Sequence, residues 1–303
     1  MDRTADLIYD VEYVQSANSL FHFMKKDEFL FNALQKGRLV PRYCVEDISY
    51  IGLTIDHVLI NQVAVLQKCF CDMPLHQLTK KFYLELTDKN SLSAEKQREV
   101  LNNTHTAFYG EYAIAFSKKW GIKHGLTPVH YISEQASTLK SMQESFSAIM
   151  SQESVQDEMA NEFIDRLAYI KPLQGTMGRT IEGKTISFVK NFHDEKEWRY
   201  VPPISILSNL NMERLIFKSY IRNEIDVINK NIESLERYGP ICLDFSADDI
   251  RYLIVPSEEA RINLIKRILG FSDGIFKGDE DIAIQKSILV SKILVLKEIE
   301  KDW

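Results

Sequence analysis

The sequence predicts an α+β protein: one main mixed or antiparallel sheet, flanking helices and a helical insertion. Strand-like and helix-like segments are interleaved along the chain, which argues against an all-α or all-β layer architecture. Residues 133–170 space their Leu, Met, Phe and Ile three and four apart, with Glu, Gln and Ser on the other face, as amphipathic helices do. The composition, 45% hydrophobic and 26% charged over 303 residues, suits a chain that buries a sizeable core. We expect one α+β domain over 1–303, with 133–170 as a helical insertion or hairpin and 203–237 as a helical segment within the domain.

Each element follows from its local pattern. SLFHFM, residues 19–24, alternates as a short strand. DEFLFNALQK then reads as a helix with Asp27 as its cap and Gly37 as its stop, before the Pro-containing turn of RLVPRYC. From 51 to 71 an apolar run ends in the buried strand VAVLQKCFC, which leads to a loop at Pro74 and a polar helix at 76–83. Residues 88–106 are polar, a loop or a short exposed helix. AFYGEYAIAFSKKWGIKHGLTPVHYI gives a strand, a helix capped by Ser117 and ended by Gly125, and a second strand. The stretch 133–170 reads as two helices broken near Ser151.

KPLQGTMGRTIEGKTISFVKNF follows as glycine-containing turns and a strand, and another helix is expected at 211–237. DIRYLIVPSEEARINLIKRILG is a strand, a proline stop and a helix capped by Ser257, with Glu258 and Glu259 in its first turn. A final strand is expected in SILVSKILVL.

Composition also bounds function. The sequence has no apolar run of about 18 residues and its first residues are acidic, so we expect a cytoplasmic protein with no membrane association. A net charge of −6 supplies no field toward nucleic acid, which leaves only a local basic groove for such a partner. The four cysteines read as reduced thiols. Cys69, Cys71 and His76, with Cys44 and Cys242, come nearest to a metal set, yet C-x-C puts both thiols on one strand face and no second close pair exists. No metal is expected.

No P-loop, G-x-G-x-x-G after a strand, G-x-S-x-G, H-E-x-x-H or kinase motif set occurs. The most informative stretch is FHDEKEWRYVP, residues 192–202. As a strand it would carry Glu195, Glu197 and Arg199 on one side and Lys196, Trp198 and Tyr200 on the other, a wall for a polar cleft. His22 stands alone on its face, because Phe21 and Phe23 point the other way, and Tyr109 lies on an expected strand in FYGEY. Plain readings stand beside these: a half-buried histidine bonded to backbone, a same-face Glu197–Arg199 ion pair, a core tyrosine, and in FCDMP a turn-forming Asp72.

Four ordered motifs resemble a known family. LFHF with its helix and G-x-L-x-P-x-Y-C-x-E-D, then FCDMPL, then YGEYAIAFSKKWGIKHGLTPVHYI, then DEKEWRYVP are similar to the abortive-infection AbiGi proteins of bacterial phage resistance over most of residues 18–270. That resemblance implies the antitoxin half of a two-gene system, binding a cognate nucleotidyltransferase-like toxin or answering a phage-derived trigger. A second likeness is to ADP-ribosyltransferase-like folds, which share the order of an early His strand, a helix ending in Gly, a middle strand and a late Glu strand.

The second likeness implies an NAD-using defence enzyme, a transferase or NAD glycohydrolase, or a catalytically dead version that senses a nucleotide. Carried over, its catalytic residues would be His22, Tyr109 and Glu197, and its cofactor-binding residues His22, Tyr43 and Arg199, with NAD as the cofactor. A carboxylate suits developing positive charge and a ring face suits a pyridinium. The tyrosine remains open among Tyr109, Tyr43 and Tyr112, and the acid between Glu195 and Glu197. His22, Arg199 and Glu197 converging in one pocket would favour the enzymatic or nucleotide-sensing readings over a masking surface.

Overall fold

The computed structural model describes residues 16–302 apart from 56, 81–83, 87–103, 151–156, 182–183, 218–220, 273–274 and 277–280. At its centre is a mixed sheet of nine strands whose spine is the ten-residue strand Gln62–Cys71. The main path runs Ile293–Val295, Ile250–Val255, Tyr112–Ser117, Ser19–Met24, Gln62–Cys71, Glu197–Tyr200, Thr127–Pro128. Arg42–Asp47 and Leu215–Ile216 pair with the first part of the spine. Ile293–Val295 runs parallel to Ile250–Val255, and the other pairings are antiparallel. The fold is thus the α+β arrangement expected, a main mixed sheet with flanking helices.

The spine is apolar along most of its length because both of its faces are covered. Ala64 and Leu66 pack with Tyr43 and Ile225 under the helix Ile221–Ser234, and on the same face Phe70 joins the largest cluster with Leu20, Phe116, Trp120 and Trp198. On the other face Val63 and Val65 meet Leu139, Phe146 and Phe163 of the helices Ser137–Met150 and Asp157–Ala168. A separate cluster of Phe21, Ala113, Ala115 and Ile254 covers that second face farther along. Between these two clusters the spine presents Gln67, Cys69 and Cys71. Alternation therefore leaves one polar window in an otherwise apolar layer.

Capping chemistry follows the sequence at most ends. Gly37 takes a left-handed conformation at φ 62° to end the first helix, Asp27–Lys36. Ser117 accepts from the Trp120 amide and Ser257 from the Ala260 amide. Asp27 is displaced by one position: Lys26 occupies the cap without a side-chain bond, and Asp27 Oδ1 accepts from the Glu28 amide at 2.9 Å.

Other expectations are corrected. The polar helix at 76–83 is a three-residue 3₁₀ turn, Leu75–Gln77, in its described part. Residues 88–103 lie outside the described residues, and the segment then enters a helix, His105–Tyr109, capped by Thr104. Tyr109 therefore ends a helix rather than sitting on a strand. The expected turns after 172 are a hairpin of Gln174–Ile181 with Lys184–Asn191. The helix expected from 211 begins at Ile221, after a short helix Ile204–Asn209 and the strand Leu215–Ile216. In SILVSKILVL the first five residues finish a helix, Ile282–Ser291, and only Ile293–Val295 is a strand. A short apolar run has no period that separates buried helix from buried strand, and here the Asp281 cap decides for helix. The expected break near Ser151 lies outside the described residues.

Candidate functional site

The acidic motif reaches the sheet by a turn. Phe192–Glu195 is a 3₁₀ turn, Lys196 is left-handed at φ 45°, and the strand begins at Glu197. Glu195 is therefore not on the strand face expected for it, although the turn brings its carboxylate to the same place. Opposed residues of antiparallel strands share a face, so pairing Glu197 with Cys71 and Arg199 with Cys69 puts both charges over the polar window of the spine.

There they form a closed network. Arg199 Nε donates to Glu197 Oε1 at 2.7 Å, and Lys171 Nζ donates to Glu197 Oε2 at 2.9 Å and to Glu195 Oε2 at 2.6 Å. Lys190 Nζ donates to Glu195 Oε1 at 2.6 Å, and the Tyr109 hydroxyl donates to the same oxygen. The remaining Arg199 nitrogens donate to the Ala168 carbonyl at 2.9 Å and to Glu46 Oε1 at 3.1 Å, which also accepts from Gln67 Nε2 at 2.7 Å. Three carboxylates thus face three cations, with Arg199 0% and Lys190 1% exposed. Buried ions require such complete pairing, because an uncompensated charge in the interior costs several kcal/mol.

The electrostatics agree with the geometry. Burial alone would raise the Glu197 carboxyl, but Arg199 and Lys171 outweigh it and hold it below the usual carboxylate range. Glu195 is likewise lowered, by Lys171 and Lys190 acting against burial. Burial pulls on Lys171 and Arg199 too, yet their carboxylate neighbours hold both well above their ordinary values. Beside the network, burial keeps His105 neutral, pushed down to about 3, with its Nε2 3.0 Å from Cys71 Sγ. Burial likewise raises the Cys71 thiol well above its usual value. That shift runs opposite to the lowered value that activates a cysteine as a nucleophile.

The residues singled out in the sequence separate into two groups. Glu195, Glu197, Arg199 and Tyr109 meet in the network. His22 lies on the opposite face: it alternates with Phe21, which pairs with Cys71, and its ring rests 5.6 Å from Phe70. Its Nδ1 is 2.9 Å from the Cys69 carbonyl. A carbonyl only accepts, so Nδ1 carries the proton. The bond fills a gap in the ladder, where Arg42–Asp47 has ended at Gln67 and the first strand pairs only at Cys71. Tyr43 pairs with Leu66 on that same opposite face; its hydroxyl donates to the Glu213 carbonyl at 2.5 Å, and Asn229 brackets its backbone. His22, Arg199 and Glu197 do not share a pocket.

Lys171, Lys190, Glu46, Gln67 and His105 were not singled out. Lys190 had a signal: it falls in the inward register of Ile186 and Phe188, where a lysine needs a buried acid. Lys171 had none, because its partners are 24 and 26 residues away. Of the cysteines considered for metal, Cys242 Sγ faces the Tyr238 carbonyl at 3.5 Å, and among the described residues no three His, Cys, Asp or Glu side chains converge as a metal set. Two surface clefts of about 240 and 320 Å³ lie away from the network, one at Asp27, Tyr112 and Ser257, the other at Arg38, Glu233 and Tyr238. Among the described residues no helix is long and apolar enough to cross a membrane.

Comparison with known proteins adds the following. Residues 96–256 match the family model described as "Putative abortive phage resistance protein AbiGi, antitoxin". The abortive phage resistance protein AbiGi of Lactococcus lactis subsp. cremoris is 30% identical over 275 residues, which span 87% of this chain and 99% of that protein. CASP-like protein 4B1 of Arabidopsis thaliana is 31% identical over 111 residues, 36% of this chain and 54% of that protein, a local likeness that carries no argument for the whole. No solved structure gives a significant match.

Proposed function

We propose, since the chain belongs to the AbiGi family of abortive phage resistance proteins, that it serves phage defence as an antitoxin-type protein, by binding a cognate toxin rather than by chemistry of its own. The observation that carries a binding role is the closure of the network. Both oxygens of Glu197 and both of Glu195 are already bonded to buried cations or to Tyr109. A carboxylate that stabilises charge on a bound molecule would first have to give up those bonds. The NAD-using alternative also needs His22 or Tyr43 beside Glu197, and both lie across the sheet from it.

Two measurements test this reading. Co-expression with the cognate toxin is expected to restore growth, and the two proteins are expected to co-elute on size exclusion. Purified chain incubated with NAD is expected to release no nicotinamide, with or without lysate, DNA or RNA. Release by the wild type that disappears in Glu197→Gln would replace the binding reading with the enzymatic one.

A further inference from the structure

The spine carries a lysine that the ionic network does not use. Lys68 lies on the face of Leu66 and Phe70, directly opposite Tyr200. On its other side it stands at the gap in the ladder, past the end of Arg42–Asp47 at Gln67 and short of the first-strand pairing at Cys71. Its side chain is half-buried. Among the described residues its amine has no hydrogen-bond or ion-pair partner. Burial pulls down three other described lysines, and each of those is held by an acceptor: Lys118 by Asp72 at 2.6 Å, Lys190 by Glu195 at 2.6 Å and Lys292 by the Ala247 carbonyl at 3.0 Å.

The groups around Lys68 do little to keep its proton. The first strand offers His22, which burial keeps neutral and which donates its Nδ1 proton to the Cys69 carbonyl. Glu197–Tyr200 offers the Tyr200 side chain, and Arg42–Asp47 offers Arg42 and the Cys44 thiol. Beyond them lie the Cys242 thiol and Glu233, a carboxylate already 3.6 Å from Arg42. Burial, with Arg42, therefore takes the amine down to about 8 against the opposing pull of Cys44, Cys69 and Glu233. About a tenth of it is then uncharged at pH 7, against well under a thousandth for an ordinary lysine at about 10.4.

We propose that Lys68 is a site of acylation by small acyl phosphates. The uncharged amine attacks the acyl carbon and an N–C bond forms; the C–O bond to the phosphoryl group breaks, phosphate leaves with the electron pair, and the surplus proton on nitrogen passes to water. The product is a neutral amide, which needs no counter-ion in a place where the ammonium has none. A half-buried amine between Phe70 and Tyr200 admits a small donor sooner than a bulky one, and Arg42 suits an anionic leaving group. This goes beyond the antitoxin reading and does not depend on it.

Incubating the full chain with acetyl phosphate and mapping its peptides by mass spectrometry tests the assignment. At pH 7 Lys68 is expected to be acetylated about tenfold faster than the exposed Lys26 and Lys266, its larger uncharged fraction outweighing the weaker nucleophilicity of a less basic amine. Its rate is expected to stop rising above about pH 8, and its advantage to vanish in urea. With acetyl-coenzyme A in place of acetyl phosphate, Lys68 is expected to react no faster than the two exposed lysines. A rate at Lys68 equal to theirs or below it overturns the proposal, and so does an advantage that persists in urea. The same advantage with acetyl-coenzyme A overturns the assignment to small donors.

Discussion

At the scale of single residues, the network and the ladder gap make different demands. Glu197→Ala leaves Arg199 and Lys171 without their main partner in the interior, and we expect a loss of about 3–5 kcal/mol in urea unfolding. A loss under about 1 kcal/mol would mean that water reaches these groups and that the network is not closed. His22→Ala removes the donor to the Cys69 carbonyl, and about 1–3 kcal/mol is expected from the orphaned acceptor. Defence should fall only as far as stability falls, which a stabilising temperature shift in the phage assay can separate. The Glu197–Arg199 pair was legible because two residues apart on a strand means one face. Lys171 was not legible, since its role depends on chain closure that no local spacing encodes.

At the scale of elements, the joint between the helix His105–Tyr109 and the strand Tyr112–Ser117 is the most constrained. Gly110 sits at φ 120°, and a Cβ there would lie 2.0 Å from the Met24 carbonyl oxygen. Gly110→Ala is therefore expected to cost more than about 4 kcal/mol or to prevent folding, read as loss of soluble protein or of the cooperative transition. Gly125→Ala, at φ 76° with open space around it, is expected to lose only about 1 kcal/mol. Elements with a cap or a glycine stop, such as Asp27–Lys36, Lys118–Lys123 and Glu258–Gly270, were readable because the end signals are local. The helix ending at Tyr109 was missed because five residues are too few to establish a period, and aromatic residues favour strands. The hairpin after Pro172 was missed for a related reason: its glycines suggested turns, whereas Gly175 is small because Phe192 lies over it.

For the whole molecule, the buried titratable groups fix how stability depends on pH. His22 and His105 both titrate below 6.5 in the folded chain, so the unfolded chain takes up protons that the folded one refuses. Their contribution is complete above pH 6.5 and declines as pH falls, for His105 down to about 3, at about 1.4 kcal/mol per pH unit for each histidine. Glu195 and Glu197, lowered from 4.5, act in the same direction: their contribution is present above 4.5 and is lost as pH falls through their folded values. Urea midpoints at pH 7, 6, 5 and 4 are expected to fall steadily, and the slope between 6 and 4 is expected to flatten in His105→Gln. A midpoint independent of pH from 7 to 5 would contradict neutral buried histidines. The sequence disclosed the presence of a mixed sheet but not which faces its strands share, and that alone sent His22 and Glu197 to opposite sides.

The spine also sets a timetable. Gln62–Cys71 leaves the ribosome early, yet two of its partners, Glu197–Tyr200 and Leu215–Ile216, are encoded more than a hundred residues later. At about 5–20 residues per second, synthesis leaves the central strand with an open flank for about 6–30 s. Throughout that interval Arg199 does not yet exist and the polar window over Gln67, Cys69 and Cys71 has nothing to close it. Until both partner strands have been synthesised, a newly made chain carries an unpaired strand flank of the kind that exposes nascent proteins to aggregation.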